Sequence, residues 1–285
     1  MARTISGKFK DLGDGFNVLR ILPHIDARAI GPFVFVDHFG PAPVITGDEL
    51  SVRPHPHIGL ATVTYLYTGA IRHRDSLGTE MVIRPGEVNW MTAGRGIVHS
   101  EHSLIEAGQP SIEGIQTWVA LPAEFEEMQP DFEHYAADSI PQIVSGSYTI
   151  RLIAGELLGL KSPVRTHSPL FYADVVTTTA TTIALELPEG QEAALYVSQG
   201  AFAAQGVRAE VGSLIVFDGS RRVSVTAETA ARGILLGGER FPEPRHLWWN
   251  FVSTSKERIE QAKTAWKANA MGVVAGETDR IPLPE

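Results

Sequence analysis

Hydrophobic and polar positions along the chain alternate in short runs broken by glycine, proline, asparagine and aspartate. Pro32-Phe33-Val34-Phe35-Val36, Ala61-Thr62-Val63-Thr64-Tyr65-Leu66-Tyr67, Glu87-Val88-Asn89-Trp90-Met91, Gly114-Ile115-Gln116-Thr117-Trp118-Val119 and Ser213-Leu214-Ile215-Val216-Phe217 are such runs. Strand-length segments that recur every roughly 8–12 residues with turn residues between them predict an all-β sandwich or barrel. Helical periodicity is nearly absent before the C-terminus. There Ile259, Ala262 and Trp266 fall on one face, behind Thr254 and Glu257 at capping-box spacing. This predicts an amphipathic helix over about 255–270, packed on a barrel; the same face could also serve a protein partner.

The pattern repeats. Leu66-Tyr67-Thr68-Gly69-Ala70 followed by Arg84-Pro85-Gly86-Glu87-Val88 returns as Val197-Ser198-Gln199-Gly200-Ala201 followed by Glu210-Val211-Gly212-Ser213-Leu214. Two copies of one barrel explain this with the fewest assumptions, and 285 residues is room for two domains. Pro130, Pro141 and Gly146 interrupt the strand pattern near Glu133–Ser147. The expected division is therefore 1–135 for the first barrel and 136–285 for the second barrel with its helix.

Composition narrows the chemistry. There is no cysteine, which excludes a disulfide scaffold, thiolate metal sites and a cysteine nucleophile. The formal net charge is −9 with no basic block, so direct nucleic-acid binding is not expected. No apolar run is long enough to span a bilayer and the N-terminal stretch lacks a signal-peptide core, so the expected location is the cytoplasm, away from the membrane. No Ser-His-Asp motif, phosphate-binding loop or dinucleotide fingerprint is present.

Two short segments carry candidate chemistry. In a strand, residues i and i+2 point to one face, so His55 and His57 can aim at one spot, and Pro56 between them suits a strand start or edge. His99 and Glu101 share that spacing. If their strands are neighbours, three imidazoles and one carboxylate converge. That donor set suits iron, copper, nickel, cobalt, manganese or zinc and leaves coordination positions for substrate and O2. A His-x-His pair in a β protein is ordinarily a surface or core pair, and from spacing alone both readings stay open.

Several of these segments resemble the pirin family. The resemblance is carried by Gly31-Pro32-Phe33-Val34-Phe35-Val36-Asp37-His38-Phe39-Gly40-Pro41, by Arg53-Pro54-His55-Pro56-His57-Ile58-Gly59, by His73-Arg74-Asp75-Ser76-Leu77-Gly78, by the run from Pro85 to Glu101 and by Gln116-Thr117-Trp118-Val119-Ala120-Leu121-Pro122. It is strong over about residues 15–125 and thinner beyond, where Trp249-Asn250-Phe251-Val252 before the helix also fits. The resemblance implies two tandem cupin (double-stranded β-helix) barrels. It implies one metal ion, typically Fe(II), on the residues matching His55, His57, His99 and Glu101. It further implies quercetin dioxygenase activity, which opens the central flavonol ring with O2 and releases carbon monoxide; other members are linked to regulation through protein partners. In the second half, sliding the repeat lays Glu186 and Pro188 over His55 and His57, and Val225 and Ala227 over His99 and Glu101, so that barrel is expected to be metal-free.

The working expectation is a monomeric dioxygenase in which Glu101 takes the hydroxyl proton of a flavonol-like substrate. The rival is a metal-containing regulatory or adaptor protein in which Glu101 is structural. His102 is expected on the opposite strand face, His73 and Asp75 at a loop or pocket rim between Gly69 and Gly78, and His38 in a structural hydrogen bond. His24, His134, His167 and His246 are read as inert, Gly94 and Gly96 as a tight turn with positive φ, and Trp90 and Trp118 as barrel packing.

Overall fold

A computed structural model of the chain describes residues 1–11, 17–44, 51–106 and 110–284, so parts of the N-terminal stretch and of the 15–125 resemblance lie outside it. The fold is mostly β, as the alternation predicts. One α-helix, Lys256–Lys267, occurs among the described residues, and no helix is long and apolar enough to cross a membrane.

The chain divides into two compact units. One comprises Met1–Lys10, Leu19–His38 and Ala136–Phe241; the other comprises Asp11–Val18, Phe39–Tyr135 and Pro242–Glu285. The expected cut at 135/136 assigned residues by order along the chain, whereas the units exchange segments at both ends.

In the first unit, a four-stranded antiparallel sheet runs in the order Thr181–Glu186, Arg222–Ala227, Ala201–Ala204, Val207–Glu210. Alternation sends Ile183, Leu185, Val223 and Val225 inward. They share one apolar core with Phe171, Ala173, Leu195, Ile215 and Leu235 from the unit's larger sheet. We call this the aliphatic unit.

In the second unit the four-stranded order is Ser51–His57, Ile97–Leu104, Ala70–Asp75, Glu80–Ile83. Its larger sheet includes Asp131–Tyr135, Val88–Thr92, Leu60–Thr68 and Ser111–Ala120. Ile71 and Ile83 of the smaller sheet pack with Phe39, Leu66 and Ile112. We call this the histidine unit. The internal repeat marks corresponding turns in the two units: Gly69 and Gly200 enter the Ala70 and Ala201 strands with φ of +81° and +69°, which a side chain would strain.

The helix does not pack as expected. Its apolar residues Ile259, Ala262 and Trp266 are buried with Ile58, Val98, Phe251 and Val274, so it belongs to the histidine unit rather than to the second barrel. Ile58 and Val98 adjoin His57 and His99 in sequence, so the helix braces the strands that carry them. A buried ion pair, Arg245 to Glu126 at 3.2 Å, fastens the same segment to this unit. The cap also differs. Ser255, not Thr254, caps the helix by accepting from the Arg258 amide at 3.3 Å, while the Thr254 amide and hydroxyl donate to Glu126.

Candidate metal centre

Strand pairing decides which donors meet. The Ile97–Leu104 strand lies beside Ser51–His57 with His99 opposite His55 and Ile97 opposite His57; the register then shifts between His99 and Glu101. Such a bulge redirects the following side chain. On its other edge the same strand sets Glu101 opposite His73 and His99 opposite Asp75.

The side-chain donor atoms of His55, His57 and His99 all lie within 4.8 Å of one another. Their ring centroids are 4.3 Å (His55–His99) and 5.0 Å (His55–His57 and His57–His99) apart. Glu101 belongs to a second group on the same criterion, with His73 and His99, so His99 is shared between the two groups. The Glu101 carboxylate accepts from the Thr64 hydroxyl at 3.1 Å, which draws it toward the Leu60–Thr68 strand.

The donor atoms fit a cation. His55, His57 and His99 expose only 7%, 1% and 1% of their surface. His55 Nδ1 is 2.9 Å from the Arg53 carbonyl oxygen and donates to it, which leaves the Nε2 lone pair free for an ion. The His57 ring is hydrogen-bonded to the Asn250 backbone while its Nδ1 has no partner, and His99 Nε2 has none either. Unpaired buried nitrogens carry a desolvation cost that a cation among them would remove. Burial, reinforced by the neighbouring imidazoles, drives His57 and His99 well below the usual histidine range and His55 down to about 4. All three are therefore neutral and metal-competent near pH 7. Burial raises the Glu101 carboxyl against the opposing pull of His73 and Thr64; a cation beside it would reverse that direction.

The surroundings are partly as read from the sequence. His38 Nδ1 lies 2.7 Å from the Tyr196 hydroxyl, a structural hydrogen bond within the aliphatic unit. His102 faces away from the donors and bonds Ser51 and Glu277, each at 2.7 Å. Gly94 has φ of +50°, and a Cβ there would strike the Met128 carbonyl. Trp90 and Trp118 are buried, and the Trp118 and His57 rings meet nearly perpendicular, at 79°, with centroids 5.1 Å apart.

His73 and Asp75 depart from expectation. They are not at a loop or rim but in the Ala70–Asp75 strand, 3% and 2% exposed, with Arg72 and Arg74 pointing the other way. The alternation of Ile71, His73 and Asp75 with two arginines was the available signal; the flanking glycines obscured it. The Asn250 backbone partner of His57 left no signal at all, because a main-chain group carries no residue identity.

The chain matches known proteins over nearly its full length. The Pirin family model matches residues 15–119 and the Pirin C-terminal cupin domain model matches 172–272. A pirin-like protein of Caulobacter vibrioides is 47% identical over 97% of this chain and 96% of its own. A Pseudomonas aeruginosa protein provisionally named a quercetin 2,3-dioxygenase is 38% identical over 94% and 84%. The crystal structure of a quercetin 2,3-dioxygenase from Acinetobacter baumannii superposes with a TM-score of 0.93 at 33% identity, covering 100% of this chain and 95% of that one.

Proposed function

The chain belongs to the pirin family, and on that premise we propose that it holds one divalent metal ion, Fe(II) by preference, through His55, His57, His99 and Glu101, and opens the central ring of a flavonol such as quercetin with O2, releasing carbon monoxide. One observation carries the metal reading: partnerless nitrogens of buried, neutral imidazoles converge, with the half-buried Glu101 carboxylate grouped with one of them, His99. The names of the Pseudomonas and Acinetobacter relatives supply the reaction type. Three nitrogens and one carboxylate oxygen suit iron, and also copper, nickel, cobalt, manganese and zinc.

When bound, the ion supplies Lewis acidity toward a substrate hydroxyl and a redox partner for O2. The rest falls to the chain's own groups. His55 and His57 are held by backbone partners, and their donor atoms lie within 4.8 Å of each other. Glu101 accepts the flavonol 3-hydroxyl proton at a carboxylate oxygen, and Thr64, bonded to that carboxylate, limits its rotation.

The reading is tested by loading metal-free protein with each candidate ion and measuring O2 uptake and carbon monoxide release with quercetin. Turnover with at least one ion is expected. No turnover with iron, copper, nickel, cobalt or manganese overturns the enzyme reading for this substrate. Glu101→Gln is expected to lower the rate by about 10²–10⁴-fold. A second reading, a metal-containing regulatory or adaptor protein, is favoured by the charged groove of Arg72, Arg74, His102 and Glu277 on the outer side of the same strands. Stoichiometric metal without turnover would select it.

A further inference from the structure

Each ligand histidine has a different group behind it. His55 is backed by the Arg53 carbonyl and His57 by the Asn250 backbone, whereas His99 is backed by a side chain, His73, whose Nδ1 lies 3.4 Å from His99 Nδ1. We propose that Asp75 and His73 are a positioning pair that fixes the tautomer and orientation of His99 toward the ion. The inference rests on the metal reading of His99.

The proton assignments follow from what each atom can do. Asp75 Oδ1 accepts from the Leu77 and Thr79 amides at 2.8 and 3.0 Å, which anchors the carboxylate. Its Oδ2 lies 3.1 Å from His73 Nε2. A carboxylate anchored by two amide donors faces His73 Nε2, which therefore donates to it. On the metal reading His99 keeps its lone pair on Nε2, the nitrogen without a hydrogen-bond partner, so its Nδ1 carries the proton and donates it to His73 Nδ1. His73 also groups with His99 and Glu101, but with both nitrogens engaged in this chain it stands behind His99 rather than on the ion. Phe132 stacks on its ring at 4.5 Å and 24°, fixing the ring plane. Passed on through His73, the Asp75 carboxylate also raises the basicity of His99 toward the metal.

The aliphatic unit has no counterpart of the pair at the equivalent place. There Ala204 lies opposite Val225, as His73 lies opposite Glu101. Relay and ligand are replaced together.

The test compares Asp75→Asn, His73→Phe and His73→Gln with the unaltered protein. Co(II) affinity is measured by competition with a chelator, the visible spectrum of the Co(II) form is recorded, and each metal-free variant is melted. Asp75→Asn and His73→Phe are expected to bind Co(II) about 10–100-fold more weakly with unchanged stoichiometry. His73→Gln, whose amide oxygen can accept from His99 Nδ1, is expected to recover most of that loss and the original spectrum. Affinities within twofold of the parent for all three variants would overturn the proposal. So would a spectrum showing one nitrogen donor lost in both His73 variants, because His73 would then be a ligand. Asp75 also anchors its own turn; should Asp75→Asn not fold, the two His73 variants decide. His57→Ala separates the two levels of inference. If it binds Co(II) as tightly as the parent, the metal reading itself fails; if it loses the ion while the His73 variants bind normally, only the positioning role fails.

Discussion

The two four-stranded sheets are built alike and filled differently. Ser51–His57, Ile97–Leu104, Ala70–Asp75 and Glu80–Ile83 follow the same order as Thr181–Glu186, Arg222–Ala227, Ala201–Ala204 and Val207–Glu210. Pairing fixes the correspondence. His55 lies opposite His99 as Leu185 lies opposite Val223. His57 lies opposite Ile97 as the Leu187 amide bonds to Arg221. Glu101 and Val225 take matching places beside His73 and Ala204. The proposed donors His55, His57, His99 and Glu101 thus map onto Leu185, Leu187, Val223 and Val225, all of which lie in one apolar cluster. Sliding the sequence had laid Glu186, Pro188, Val225 and Ala227 there instead; strand pairing shifts that alignment by one or two residues. The barrel tolerates either interior. Leucine and valine are stabilised by burial itself, whereas neutral imidazoles need something to bind.

The comparison breaks most visibly at a proposed ligand. His57→Ala is expected to abolish stoichiometric metal, with affinity falling about a hundredfold or more, as read by elemental analysis of protein purified without chelators or affinity tags. Near-stoichiometric metal in that variant would remove the distinction between the two interiors. At the matching place in the aliphatic unit, Leu187→Ala is expected to cost about 2–5 kcal/mol through the cavity it leaves, with metal content unchanged. Urea denaturation and elemental analysis check both halves of that statement.

Acid sharpens the contrast. The three imidazoles lie below the ordinary 6.5 when folded, His55 at about 4, so between these values the unfolded chain binds more protons. Their contribution is present above about pH 6.5 and is lost as pH falls toward 4, roughly 3 kcal/mol from His55 alone. Glu101, raised by burial, acts in the opposite sense: its protonated form favours the folded state at low pH and that contribution fades as pH rises. Metal-free protein is expected to lose net stability across this window, and His57→Gln to show a shallower slope in denaturant titrations at stepped pH. The smallest effect is expected at the helix that braces the donor strands. Ser255→Ala removes the cap bonded to the Arg258 amide and should cost about 1 kcal/mol, seen as a lower melting temperature with unchanged metal stoichiometry.

Much of the site could be read from spacing because strand geometry is local. An i, i+2 pair shares a face wherever the strand is placed, so His55 with His57 was visible before any fold was known. His73 was not, because its membership depends on the Ala70–Asp75 strand lying against Ile97–Leu104, and Gly69 and Gly78 made the segment look like a loop. The helix was visible from Ile259, Ala262 and Trp266, but its host was not. A three-residue apolar face specifies that something covers it, and Ile58 and Val98 are 161 and more residues away in sequence.

The sequence by itself determined the β architecture, its duplication, the absence of thiol chemistry and the donor types, since each follows from residue identity and short-range periodicity. Tertiary structure alone decided that Glu101 leans on Thr64 and groups with His73, that Asp75 bonds His73 and His73 lies against His99, and that the C-terminal segment serves the histidine unit. Those outcomes depend on strand register, a bulge and packing between distant segments, which are settled by hydrogen bonding and burial across the fold rather than by neighbours along the chain.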